Sequence, residues 1–153
     1  MKILKKSVWL LLLLLPSLAY AEVVGSVSTV FKLLGANDKI VVEAFDDPKV
    51  DGVSCHLSRA KKGGIKGSIG LAEDPSNSSI ACRQIGPINF SGKLVEGEEV
   101  FSKSTSILFK TLHVVRFFDK KRHTLIYLVY SDKLVDGSPK NSLSTVPIMP
   151  WKK

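Results

Sequence analysis

The sequence predicts a mainly β fold: a single antiparallel sandwich- or barrel-like domain with at most one or two short helices. Three observations predict it. Apolar runs in the body of the chain are short and rich in valine, isoleucine and aromatics, as strands are. Several alternate apolar with polar residues, the period-2 signature of a half-buried strand. Gly, Pro and Asp punctuate them at close intervals, which favours hairpins over helices.

The first 21 residues stand apart. Met1–Lys6 carries Lys2, Lys5 and Lys6 and no acid, Val8–Leu15 is continuously apolar with six leucines, and Pro16-Ser17 breaks the run before Ala19-Tyr20-Ala21. A basic start, a short apolar centre and small residues at the −3 and −1 positions define a secretory signal peptide, cleaved after Ala21. The uncharged stretch Ser7–Ala21 is 15 residues, against roughly 20 needed to span a bilayer. The expectation is a periplasmic protein with residues 22–153 as one domain and no transmembrane anchor after cleavage. Removing the leader's three lysines lowers the 22 basic side chains to 19 against 14 acidic ones, a net of +5 on 132 residues. A chain of that length buries about two-thirds of its unfolded surface, enough for a core.

Along that domain, Val27–Leu34 has apolar residues at 27, 30, 31 and 34, a helical spacing, with Ser26 to cap it and Gly35 to end it. Its β-branched Val27, Thr29 and Val30 fit a strand nearly as well. Asp38–Phe45 is a β-branched strand, and Asp46–Gly52 a turn whose Asp51-Gly52 suits positive φ. Val53, Cys55 and Leu57 alternate with Ser54, His56 and Ser58, placing the cysteine on an apolar face. A helical turn fits Ile69–Glu73, and Ile80–Ile85 reads as a strand ended by Gly86-Pro87. Ile107–Phe118 and Thr124–Tyr130 flank the charged Asp119–His123 and predict a hairpin. The second strand is apolar on both faces, which predicts a central strand covered on both sides. Pro139, Pro147 and Pro150 predict an extended C-terminal tail laid across the body.

Cys55 and Cys82 are the two cysteines, with 26 residues between them. An even count in an exported chain predicts a disulfide, and closing such a loop stabilises by roughly 3–4 kcal/mol in the chain-entropy model. The spacing does not suit a C-x-x-C redox motif.

Residues that carry chemistry are sparse. Arg59–Gly70 holds Arg59, Lys61, Lys62 and Lys66 among four glycines, a segment suited to contact an anion. It matches neither the phosphate-loop nor the dinucleotide-loop spacing and reads more readily as a solvated loop between strands. Asp46–Gly52 fails the calcium-loop ligand pattern at its third and twelfth positions. His56 and His123 lie at polar positions, whereas His113 interrupts an apolar strand.

Glu43–Pro48, Ser58–Lys61 into Gly63–Gly67, Gly70–Asp74, Val115–Phe117, Tyr130–Lys133, Gly137–Asn141 and Pro147–Trp151 together resemble the CreA family. The resemblance covers nearly all of residues 22–151. It implies a small exported protein of Gram-negative bacteria, named for catabolite regulation, and carries over no catalytic or binding residue.

These readings lead to a periplasmic binding or accessory module, without catalytic residues, metal or cofactor, whose partner is an anionic ligand or an envelope protein and not nucleic acid. A hydrolytic enzyme using Asp46, Asp47 or His113 is one alternative; a structural envelope or stress factor without a small ligand is another.

Overall fold

The computed structural model describes residues 20–65, 78–105, 111–132 and 140–152. The leader up to residue 19, the helical turn expected at Ile69–Glu73, Lys66 and residues 107–110 of the expected hairpin lie outside them. Among the described residues eight strands run β1 Glu22–Val30, β2 Asp38–Asp46, β3 Val50–Lys61, β4 Ser78–Phe90, β5 Glu98–Ser104, β6 Thr111–Asp119, β7 Thr124–Ser131 and β8 Asn141–Pro147. They form two four-stranded antiparallel sheets, β1-β2-β3-β4 and β5-β6-β7-β8, each ordered as in sequence. The predicted β fold is an open two-sheet sandwich, not a closed barrel.

Alternation builds the core. Phe45 of β2, Val53, Cys55 and Leu57 of β3, and Ile80 and Cys82 of β4 meet Leu112 and Val114 of β6, Leu125, Tyr127 and Val129 of β7, and Val146 of β8. Phe45 stacks on Phe101 with ring centroids 4.6 Å apart, which joins β2 to β5 across the two sheets. Cys55 and Cys82 stand directly opposite in the β3–β4 register and form the predicted disulfide inside this core.

Three expectations change. Val27–Leu34 is not a helix: Glu22–Val30 is a strand, because its backbone finds a partner in β2. Asp51-Gly52 is not the β2–β3 turn. Gly52, at φ +81°, makes an irregularity within β3, and a Cβ there would stand 2.4 Å from the Pro87 carbonyl oxygen. That kink lets β4 continue past Gly86-Pro87 to pair Asn89 and Phe90 with Asp51 and Val50. Pro87 is tolerated because β4 is an edge strand at an irregular pairing. The true turn is built by Asp47, whose carboxylate accepts from the Lys49 and Val50 N–H groups at 2.8 and 3.1 Å.

β7 is central in its sheet, but only one of its faces is closed. Leu125, Tyr127 and Val129 are buried, whereas Ile126, Leu128 and Tyr130 are half-buried. Among the described residues the outward face is flanked by neighbours in the same sheet: Phe117 opposite Ile126, Val115 opposite Leu128, His113 opposite Tyr130. The expected hairpin is β6–β7, with its turn at Lys120–His123. β5 and β8 were not singled out by periodicity.

Candidate functional site

The site is assembled at the corner where β4 meets β8. Along β4, Ile80 and Cys82 point inward, leaving Arg83 outward and Gln84 half-buried. Along β8, Ser144 and Val146 point inward and Thr145 outward. As an edge strand, β4 presents unpaired backbone groups, and β8 answers with a side chain: the Cys82 N–H donates to Ser144 Oγ at 2.8 Å. Gln84 then holds the tail. Its amide donates to the Met149 carbonyl at 2.9 Å and accepts from the Met149 N–H at 2.9 Å, imitating a strand pair. The Ile148 N–H donates to the His123 carbonyl at 3.0 Å and fixes the tail to the β6–β7 turn. The proline-rich end is therefore extended and laid across the body, as its sequence predicts.

These contacts enclose a groove of about 520 Å³ lined by Cys82, Arg83, Gln84, Thr145–Pro147 and Met149–Trp151. Met149 and Trp151, 63% and 46% exposed, offer apolar surface at its rim. Arg83 donates to the Cys82 carbonyl at 2.8 Å through one guanidinium nitrogen, and a guanidinium has five N–H donors in all. Among the described residues this arginine is the one ionisable side chain of the lining, so the groove supplies a guanidinium cation beside apolar contact surface.

The basic glycine-rich segment is placed differently from a phosphate cradle. Arg59 is buried and pairs with Glu43, Nε to Oε2 at 2.9 Å, and Lys103 from the other sheet also reaches Glu43. Burial works to raise the Glu43 pKa, but hydrogen bonds from Arg59 and Lys103 outweigh it and hold the carboxyl below its ordinary range. Lys61 ends β3, with Lys62 exposed beside it. The neighbouring glycines serve packing: Gly63 N–H donates to Asp38 Oδ1 at 2.7 Å and Gly64 N–H to the Ala36 carbonyl at 2.6 Å. A Cβ on Gly63 would lie 1.8 Å from the Ala36 oxygen. Two of the amides that could cradle an anion are thus used against the β1–β2 turn.

Asp47 and His113, the residues of the hydrolytic alternative, belong to separate layers. Asp47 lies between the sheets, where it accepts both 2.6 and 2.8 Å bonds from Arg116 Nη1 and a 2.8 Å bond from the Tyr127 hydroxyl. Arg116 also donates to Glu98 at 2.5 Å, and Lys49 pairs with the same carboxylate. Burial first, and then the charge of Asp47, push the Tyr127 phenol up, keeping it a donor. Tyr127, Asp47, Arg116, Glu98 and Lys49 form one continuous chain that rivets the β2–β3 turn to β5, β6 and β7. Asp46 is exposed at the end of β2. His113 lies on the outer face of the second sheet, stacked on Tyr130 with centroids 5.2 Å apart. Its Nδ1 meets Glu99 and its Nε2 meets Asp132 at 3.1 Å. Burial alone would lower the histidine pKa; the two carboxylates outweigh it and hold it above the ordinary value. When His113 is protonated, both ring nitrogens donate to these carboxylates. Among the described residues no group of three or more metal-ligating side chains is assembled.

A family model described as CreA protein matches residues 24–151. The chain is 58% identical over 146 residues to the protein named CreA of Escherichia coli strain K12, covering 93% of each chain. The proteins of the same name from the O6:H1 and O157:H7 strains match to the same extent. No solved structure matches. Arg116, Asp47 and the Pro147–Trp151 tail all fall within the matched span.

Proposed function

The chain belongs to the CreA family, and from that premise we propose that it works in the periplasm as a binding module for an anionic ligand with an apolar body. The observation that carries this reading is the β4–β8 groove, where Arg83 stands beside Met149, Pro150 and Trp151. Its size falls in the range of small-molecule sites, and one fixed cation set in an apolar trough selects a negatively charged head on a hydrocarbon or aromatic body. The location is supported by the Lys2–Ala21 leader pattern and by the Cys55–Cys82 disulfide, a bond that persists in oxidising compartments. Lys61, Lys62 and Lys66 add a second basic contact for the anion or for an acidic partner surface.

Cleavage after Ala21 removes Trp9 and leaves Trp151 as the only tryptophan, so the intrinsic emission of the mature protein reports on the groove. Titration with octanoate should shift and saturate that emission. Octanol and inorganic phosphate, each offering half of the chemistry, should bind at least roughly tenfold more weakly, as the loss of one charge-assisted contact implies. Arg83→Ala should remove the octanoate response without lowering the melting temperature. An octanoate response equal in the wild type and in Arg83→Ala refutes the groove as the site.

A further inference from the structure

β1 is an edge strand of unusual character. Among the described residues it pairs only with β2, and none of its nine residues is buried. Val23, Val24, Val27 and Val30 are each about half to two-thirds exposed, and Phe31 just beyond them is 76% exposed. Strand edges are commonly blunted by lysine, proline or a covering element. The other edges here have such devices: Pro87 in β4, Lys103 in β5, and for β8 the Ser144 contact with β4 together with Pro147. From Val23 to Phe31 there is no charge and no proline; the irregularities of this edge are the two register shifts of its pairing with β2, at Val23/Gly25 and Ser28/Val30.

The strand is also complementary to itself. A two-fold axis normal to a sheet makes the two strands antiparallel and sets one residue opposite its own copy. With Val27 on the axis, Val24 faces Val30 of the second chain, Val23 faces Phe31, Gly25 faces Thr29 and Ser26 faces Ser28. The first charged residues on either side, Glu22 and Lys32, then fall opposite each other, and symmetry makes two such pairs. Lys32 is partly exposed and touches Asp38 at 3.3 Å, and an ammonium has three protons to donate. Moving the axis to Ser26 or Ser28 removes the charge match and sets valines against serines.

We infer that β1 is a homodimerisation strand, joining two copies of this chain through antiparallel β1–β1 pairing centred on Val27 and stapled by Glu22–Lys32 pairs. The two sheets become one continuous eight-stranded sheet, and the exposed valines and Phe31 become cross-strand partners. The inference is independent of the β4–β8 groove, since β1 and β4 are opposite edges of their sheet.

Sedimentation equilibrium of the natively processed protein tests it. The parent should sediment at twice the chain mass. Val27→Lys sets two ammonium groups face to face on the axis and should give the monomer. Because residue 27 is 69% exposed and packs into no core, its circular dichroism and melting curve should show a folded chain. Glu22→Lys alone and Lys32→Glu alone each create two like-charge contacts and should weaken the dimer roughly tenfold. The combined Glu22→Lys/Lys32→Glu chain should recover the parent's affinity, with intact mass confirming equal processing. A parent that stays monomeric, a folded Val27→Lys chain that stays dimeric, or a double variant no tighter than the single ones overturns the inference.

Discussion

Replacing Arg116 by Met tests the inter-sheet rivet most severely. Arg116 is 1% exposed, and the side chain of Asp47 is wholly buried. The four charged groups of the cluster, Asp47, Arg116, Glu98 and Lys49, sum to zero. Arg116→Met leaves Glu98 with Lys49 but strands the Asp47 carboxylate with three neutral donors, the Lys49 and Val50 N–H groups and the Tyr127 hydroxyl. Removing one partner of a buried ion pair costs about 3–5 kcal/mol, a large share of the roughly 5–15 kcal/mol that stabilises a domain. Asp47→Asn should cost less, about 2–3 kcal/mol, because Arg116 keeps Glu98 and the amide oxygen still accepts from the turn. Urea denaturation followed by far-ultraviolet circular dichroism, with the disulfide intact, measures both. The melting temperature of Arg116→Met should fall by roughly 10–15 °C. The Asp47→Asn/Arg116→Met double variant should be more stable than the sum of the single losses by about 1–3 kcal/mol, since both charges leave together. A loss below about 1 kcal/mol for Arg116→Met, or strict additivity, refutes the reasoning.

Four other outcomes follow from the same geometry. Tyr127→Phe removes one of the five hydrogen bonds to the Asp47 carboxylate and should cost about 1 kcal/mol in the same urea assay, with no change in the denaturation slope. Cys55→Ala/Cys82→Ala should lose about 2–4 kcal/mol while keeping the far-ultraviolet spectrum. His113, held above its ordinary pKa, contributes stability that is complete below about pH 6.5 and is lost as pH rises through its folded value. In His113→Gln the decline in urea midpoint between pH 6 and 9 should therefore flatten. Changing Lys61, Lys62 and Lys66 together to Ala should weaken binding of anionic ligands with the melting temperature nearly unchanged, as calorimetry would show.

Legibility in the sequence followed the range of the interaction. β2, the alternating half of β3, the β6–β7 hairpin and the disulfide were all readable, because each is decided by period-2 patterning, a charged turn or a cysteine count. The Gly52 kink was half readable: Asp51-Gly52 announces positive φ, which a tight turn and a strand irregularity use alike. β5 escaped because the pairing shifts between Glu99 and Phe101, putting adjacent Val100 and Phe101 both inside and breaking the alternation.

The rivet and the groove depend on residues far apart in sequence. Arg116 and Asp47 are 69 positions apart, and no local pattern pairs them. A signal was nevertheless present: Leu112, Val114 and Arg116 share one strand face, so an arginine in phase with the buried residues demands a buried carboxylate. Arg59 in phase with Cys55 and Leu57 carried the same message and was read as a loop cation. The groove exists only because Gln84 meets Met149 across 65 positions, a contact between an edge strand and a tail that composition does not encode.

The premise that the domain folds where thiols oxidise is tested most directly by the intact mass of the protein released by osmotic shock from its native cells. The account predicts residues 22–153 less two hydrogens. A full-length chain with two free thiols, recovered from the cytosol, would contradict it.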